Sequence, residues 1–138
     1  MGLPERGQEL PTLRKGPVQR IDLVKYAGAS GDYNPIHTVE SYAREVGFGD
    51  VIAHGMLTMA YVGQMLTDFA RDEADLGEFT VRFRAVVRPG DVLECRGQVT
   101  DVAKDGDGFL AKVQVSAVNQ AGEAVVKGTA RLRYPAPD

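Results

Sequence analysis

Residues 56–70, which read MLTMAYVGQMLTDFA, predict a helix that is apolar or small on nearly every side. A helix without a polar face is typically buried, so we expect this one to lie in the core. We interpret its methionines as core residues, because methionine at helical spacing more often fills an apolar interior than lines a ligand site. Gly63 stands in the middle, where glycine costs about 1 kcal/mol relative to alanine. We therefore expect a strand or a ligand to approach the helix closely at that point.

Downstream of this helix the apolar pattern changes to a period of two, which is typical of half-buried strands. One face of the first strand carries its apolar side chains, which are Phe79, Val81, Phe83 and Ala85. Three more strands are predicted, over residues 93–99, 111–117 and 124–132. Four long strands with short connections predict an antiparallel meander, whose apolar face needs a cover.

The apolar helix is the only predicted element large enough to cover that face. One antiparallel sheet wrapped around a central helix is the hot-dog arrangement, so the predicted fold class is α+β. Periodicity alone also fits other α+β folds. No repeat or low-complexity segment divides the chain. We expect a single domain over residues 1–138, with an N-terminal arm (1–16) that forms at most one short strand and a C-terminal tail (135–138).

Two shorter helices are predicted upstream, over residues 18–28 and 38–46. Gly28 suits the left-handed position that ends the first helix. Thr38 is a good N-cap for the second, and Gly47 is placed to close it. Between the two helices, two glycines and a proline favour a specifically shaped loop over regular structure.

The bulk composition excludes several classes of protein. With 43% hydrophobic and 25% charged residues, the 138-residue chain is an ordinary globular one. A net charge of -3 without a basic stripe argues against nucleic acid as a partner. No signal peptide and no apolar run of about 20 residues is found, so we expect no membrane partner and a cytoplasmic location. A single cysteine, Cys95, excludes an internal disulfide and is interpreted as a buried hydrophobe.

Polar residues concentrate in the loop between the two predicted short helices. Residues 28–37 read GASGDYNPIH, which places His37 five positions after Asp32. The Asn34-Pro35 pair restricts the backbone between them, so the carboxylate and the imidazole could converge on one water. Water that adds to a conjugated thioester must lose a proton, while the substrate α-carbon must gain one, and an acid and a base can do both. The alternative is that Asp32 and Asn34 merely cap a turn.

A second candidate is the segment Ile52-Ala53-His54-Gly55, directly before the apolar helix. A helix start offers free backbone N–H groups and the positive end of the helix dipole. During hydration the thioester carbonyl gains negative charge as an enolate, and donors already aimed at that oxygen stabilise the transition state. We choose the Gly55 N–H as this donor. The alternative is that Gly55 lets the chain turn tightly into the helix, beside a half-buried His54.

Together the two segments resemble the MaoC-like hydratase family. Its hydratase motif is matched by residues 30–37, SGDYNPIH, and downstream by residues 52–57, IAHGML. The likeness runs from about residue 18 to residue 134, because the order of loop, central helix and four strands also looks like the hot-dog domain of this family. The chain departs from the pattern of this family at one position. Many members have an acidic residue two positions after the catalytic histidine, where this chain has Val39 and then Glu40.

The resemblance implies an (R)-specific enoyl-thioester hydratase. The implied substrates are trans-2-enoyl and (R)-3-hydroxyacyl thioesters of coenzyme A or of an acyl carrier protein. Asp32 and His37 would be the catalytic pair, Asn34 would organise their loop, and the Gly55 amide would bind the thioester oxygen. The family implies no metal and no redox cofactor, and no cluster with metal-ligand spacing is seen in the sequence.

The chain also resembles the catalytic subunit of mycobacterial-type (3R)-hydroxyacyl carrier protein dehydratases, which pairs with a non-catalytic relative of the same fold. A homodimer and a heterodimer with a related hot-dog subunit are therefore both open. Dimerisation has a physical motive, because an antiparallel meander leaves an unpaired edge that a second copy would cover.

Two other functions stay open at this point. Hot-dog thioesterases use a carboxylate near the start of the central helix, but residues 54–68 offer no acid early in that helix. A non-catalytic, acyl-thioester-binding partner subunit would keep the pocket for recognition only. The intact Asp32 and His37 pair argues against this second alternative.

Overall fold

The computed structural model describes residues 2–137 of the chain. Its elements in chain order are β1 (Leu13–Lys15), α1 (Arg20–Ser30), a 3-10 turn (Pro35–His37), α2 (Glu40–Glu45), α3 (Gly55–Ala70), β2 (Asp75–Phe83), β3 (Leu93–Asp105), β4 (Gly108–Val118) and β5 (Ala124–Tyr134). Of the helices within residues 2–137, none has the length and apolar character needed to cross a membrane. The first residue of the predicted arm and the last of the predicted tail lie outside the described residues.

The five strands form one antiparallel sheet in the order β1-β3-β4-β5-β2. The predicted meander is correct for β3, β4 and β5, but it is wrong for β2. This strand pairs with β5 at the far side of the sheet, with Phe83 opposite Val126. The reason is that the N-terminal arm already occupies the edge of β3, where Leu13 pairs with Cys95 and Glu9 with Gln98.

The connection between β2 and β3 runs across the start of α3 to reach the other side of the sheet. Its backbone hydrogen bonds go to the segment before α3, because the Ala53 N–H donates to the Val87 carbonyl at 2.7 Å. The Arg88 guanidinium donates to the Phe48 carbonyl at 2.5 Å. This crossing ties the segment before α3 to the sheet.

Helix α3 is the central helix, and the curved sheet covers one side of it. Its buried side chains are Leu57, Thr58, Val62, Met65, Leu66 and Ala70. They pack against a continuous apolar layer of the sheet that includes Cys95, Val99, Val113 and Leu132, all fully buried. Burial of each large apolar side chain is worth about 1.5–3 kcal/mol, so this layer is the main source of stability. The arrangement is the predicted α+β hot-dog fold.

The prediction that α3 is buried on every side is wrong for one face. Met56 is 57% exposed and Ala60 is exposed as well, so Met56 is not the core residue that its spacing suggested. At Gly63, a Cβ atom would lie 3.4 Å from the ring of Phe79 on β2. Strand β2 does lie beside the helix here, but the contact is an ordinary one that leaves room for alanine, so close approach does not explain the glycine.

Both upstream helices differ from their predicted limits. Helix α1 continues past Gly28 to Ser30 and ends at Gly31, whose φ of 76° is left-handed and whose N–H donates to the Ala27 carbonyl. Two glycines three residues apart offered the same local signal, and the later one is used. Thr38 does not cap α2, because its N–H donates to the Pro35 carbonyl and so ends the 3-10 turn.

Candidate active site

Three hydrogen bonds between residues close in the sequence stabilise the loop after α1. Backbone N–H groups donate to side-chain oxygens two residues earlier: Asp32 to Ser30 at 3.2 Å, Asn34 to Asp32 at 3.2 Å and Ile36 to Asn34 at 3.1 Å. Such local turns are the habit of Ser, Asp and Asn side chains. The turn-capping alternative is thus part of the structure, and it fixes the direction of the Asp32 carboxylate. Because Oδ1 accepts from Asn34, Oδ2 is left to face His37.

The structure brings Asp32 and His37 together. His37 is 7% exposed, and its Nδ1 lies 2.7 Å from the Ile52 carbonyl oxygen. A carbonyl only accepts, so Nδ1 carries a hydrogen, and in the neutral ring Nε2 presents a lone pair. That Nε2 lies 3.7 Å from Oδ2 of Asp32, whose side chain is 51% exposed. This separation is too long for a direct hydrogen bond, and it places Nε2 of the buried His37 beside an acceptor oxygen of the half-exposed Asp32.

The two segments singled out in the sequence are joined along their backbones. The Ile52 N–H donates to the Ile36 carbonyl at 3.1 Å, next to the bond from His37 to Ile52. Two residues later, His54 reaches back to the Asp32 carbonyl, with Nε2 at 3.2 Å from that oxygen. The loop and the segment before α3 therefore form one braced unit.

The sequence suggested for His54 only the alternative of a satisfied, half-buried histidine, but the structure places it against both Asp32 and His37. It is 1% exposed, and its ring stacks on that of His37 with 3.7 Å between centroids and 23° between planes. Tyr26 of α1 also contacts the His54 ring in a T-shaped arrangement, with 4.8 Å between ring centroids. Nδ1 of His54 is buried and has no hydrogen-bond partner among residues 2–137. The only advance signal was that both histidines of the chain fall in the two motif segments.

The pKa of His54 lies below its ordinary value of 6.5. Burial is the largest cause, and the neighbouring His37 lowers the pKa further, while the hydrogen bond to the Asp32 backbone and the Asp32 charge raise it. Burial disfavours the charged imidazolium because it removes the solvent that would stabilise it. His54 is therefore a neutral imidazole at neutral pH.

Gly55 directly follows His54 and is the first residue of α3. Its N–H belongs to the donors at a helix start that no carbonyl of the helix accepts. The ring of Phe83 covers this point, since a Cβ atom on Gly55 would lie 3.0 Å from Phe83 Cε1. Glycine here lets an aromatic ring lie against the helix start, next to the predicted oxyanion donor.

Asp32, His37 and His54 each offer one metal-binding atom, and these atoms lie within 4.8 Å of one another. An imidazole binds a metal along a nitrogen lone pair, which lies in the plane of the ring. Because the two rings are stacked, their lone pairs run side by side rather than towards one ion. Each ring also donates one N–H to a backbone carbonyl, which leaves one nitrogen per ring, so it is the stacking of the rings that argues against a shared ion. This geometry favours a hydrogen-bonded cluster over a metal centre.

The surface around the site is apolar and open. Tyr33 of the loop is 70% exposed, Met56 57% and Phe83 52%. A cavity of about 570 Å³ lies elsewhere, on the outer face of the sheet, and its lining includes Arg96, Gln114 and Lys127 but none of the residues of the site. The large side chains of Tyr33, Met56 and Phe83 beside the site are therefore open to solvent on this chain alone.

A curved antiparallel sheet around a central helix defines a hot-dog domain, and an acid and a histidine lie on a braced loop beside the start of that helix. A family model for the MaoC like domain matches residues 4–124. The chain belongs to this MaoC-like hydratase and dehydratase family, as the two motif segments predicted.

Two curated relatives and one solved structure illustrate the likeness. A 3-hydroxybutyryl-CoA dehydratase from Methylorubrum extorquens is 30% identical over 128 residues, which cover 91% of this chain and 79% of that protein. An (R)-specific enoyl-CoA hydratase from Rhodospirillum rubrum is 30% identical over 120 residues, covering 86% and 81%. The unliganded R-hydratase PhaJ1 from Pseudomonas aeruginosa superimposes with a TM-score of 0.86 at 29% identity, covering 97% of this chain and 84% of that one.

Proposed function

We propose that the protein interconverts trans-2-enoyl and (R)-3-hydroxyacyl thioesters by adding water to the double bond or removing it. The observation that carries this proposal is the 3.7 Å separation of His37 Nε2 and Asp32 Oδ2, two free acceptors at the mouth of a braced loop. The names of the relatives support the same reaction class.

The proposed mechanism uses a single water held by both acceptors through ordinary hydrogen bonds of about 2.8 Å. As the water oxygen forms its bond to the β-carbon, the pair takes up one of its protons. The electrons of the double bond move to the thioester oxygen as an enolate, which the Gly55 N–H and the dipole of α3 stabilise. The enolate then takes a proton at the α-carbon, which returns the pair to its starting state.

We further propose that the reaction needs no metal and no redox cofactor, since the stacked histidines form a hydrogen-bonded cluster. Thioesters of coenzyme A and of an acyl carrier protein present the same reacting atoms, so either carrier suits the site. A cytoplasmic location stays a prediction.

We also propose that the active form contains two hot-dog subunits, either two copies or this chain with a related subunit. Strand β2 is an outer strand, and within residues 2–137 no strand pairs with its outer edge. Phe83 and Met56 leave an apolar surface exposed beside that edge and beside Gly55. A second subunit that covers this surface would also close the substrate side of the site.

The direct test is to mix the protein with crotonyl-CoA, to follow the enoyl absorbance and to titrate released thiol. We expect absorbance loss without thiol release, with (R)-3-hydroxybutyryl-CoA as the product. The single thiol of the protein does not disturb the titration, because Cys95 is fully buried and burial raises its pKa to about 11. Thiol release would indicate a thioesterase instead. Binding of crotonyl-CoA without either change would indicate a non-catalytic subunit.

A further inference from the structure

We propose that His54 is a positioning residue of this site, a neutral imidazole that fixes the Asp32 backbone through Nε2–H and fixes the ring plane of His37 by stacking. The inference rests on the proposed function, because the groups it positions are the proposed acid–base pair. His54 does not face the open side of the site, since it is 1% exposed.

The hydrogen bond to Asp32 decides the tautomer of His54. A carbonyl oxygen only accepts, so the contact of 3.2 Å requires a hydrogen on Nε2. Nδ1 then carries a bare lone pair in a buried place without a partner among the described residues. A second proton would have to sit on Nδ1, for which residues 2–137 provide no acceptor, and a buried unpaired donor costs about 1–3 kcal/mol.

The groups around His54 also favour a neutral ring. His37 of the 3-10 turn faces it ring to ring at 3.7 Å, Asp32 of the loop offers its carbonyl, and Tyr26 of α1 meets it edge-on. A charged His54 would repel any positive charge that His37 gains when it takes a proton from water. A neutral His54 ring instead gives the His37 ring a flat surface to stack on, and it leaves Nε2 of His37 free to bind the water.

The position of His54 in the chain gives these contacts their effect. The residue precedes Gly55, the proposed oxyanion donor, and it touches both members of the acid–base pair. The His54 side chain therefore fixes the distance between the proposed water site and the Gly55 N–H, the proposed donor to the thioester oxygen. A displacement of about 1 Å between such groups can lower a rate by about 100-fold.

Three variants separate the two contacts. His54→Phe keeps a stacking ring and removes the donor. His54→Gln removes the ring and places an amide N–H2 near the position of Nε2, where it can donate to the Asp32 carbonyl. His54→Asn also removes the ring but places its amide near Nδ1, where residues 2–137 offer no hydrogen-bond partner. With crotonyl-CoA we expect kcat to fall about 10- to 100-fold in His54→Phe and His54→Asn, with KM within about threefold. We expect His54→Gln to recover at least a few-fold of kcat over His54→Asn.

A second measurement does not depend on activity or on a folded variant. The chain has only two histidines, so ¹⁵N-histidine labelling of the unaltered protein gives two ring spin systems. We expect one ring to be the neutral Nε2–H tautomer at neutral pH, assigned to His54 by its contacts to Tyr26. A protonated ring or an Nδ1–H tautomer at His54 would overturn the proposal, as would equal kcat in folded His54→Gln and His54→Asn. If the unaltered protein lacked hydratase activity, the proposed function would fail while the tautomer of His54 would still be measured.

Discussion

Replacement of Asp32 by asparagine removes one charge from the proposed site and almost nothing else. The asparagine carbonyl can keep the hydrogen bond that Oδ1 now accepts from Asn34, at 3.2 Å. The amide N–H2 then takes the place of Oδ2, only 3.7 Å from His37 Nε2, and a small rotation lets it donate to that lone pair. The substitution thus loses one water acceptor and blocks the other.

We expect kcat/KM for crotonyl-CoA to fall by about 10²–10⁴ in Asp32→Asn, which is about 2.7–5.5 kcal/mol of transition-state stabilisation. The free energy of unfolding should change by less than about 1 kcal/mol, because the side chain is half exposed and keeps its turn bond. The assays are enoyl absorbance and urea unfolding. Asp107→Asn, in the exposed turn between β3 and β4, is the matched control and should retain full activity. A kcat/KM for Asp32→Asn within threefold of the unaltered protein would refute this account of the water site.

Four further predictions follow from the packing and charge of the site. Gly63→Ala should raise the free energy of unfolding by about 0.5–1 kcal/mol in urea, because the new methyl meets Phe79 at an ordinary 3.4 Å; destabilisation would show that the ring cannot accommodate it. Gly55→Ala should lower kcat/KM by displacing the Phe83 ring, and a second change, Phe83→Ala, should restore part of it; the idea is wrong if the double variant is no better than the single one. Folding lowers the pKa of His54, so the unfolded chain binds a proton at this residue more readily than the folded chain does. The free energy of unfolding should therefore decrease as the pH falls below about 6.5. Urea unfolding at pH 5 and at pH 7 should show a smaller decrease in His54→Phe than in the unaltered protein. Prolonged dialysis against EDTA should leave kcat unchanged, and a loss of activity that a divalent metal restores would contradict the metal-free mechanism.

Local pattern was enough to predict the elements of the fold but not the order of the strands. The start of α3 was predicted within one residue, because the apolar run and Gly55 mark it. The pairing of β2 with β5 was missed, since nothing near Phe83 in the sequence shows that the arm has already taken the edge of β3. Strand order depends on contacts between residues far apart in the chain, and periodicity carries no information on those.

The site divides in the same way. The nearness of Asp32 and His37 could be predicted, because five residues with a proline between them keep two side chains close. The environment of His54 could not, since its stacking, its burial and its unpartnered Nδ1 arise only when the loop folds back on the segment before α3. Residues 28 and 31 give a smaller example, in which two equivalent helix stops were separated only by the observed bond from Gly31 to Ala27.

The N-terminal arm has a consequence for how copies of this chain can associate. It shields the margin of β3 from Leu93 to Val99, and the part beyond it carries Asp101, Lys104 and Asp105, charges that discourage a further strand from joining. Lateral growth of the sheet is therefore easier at β2, which has nine residues, than at the other outer strand, β1, which has three. Two copies joined at β2 would leave the three-residue β1 as the outer strand of each copy, which favours a pair over a fibre.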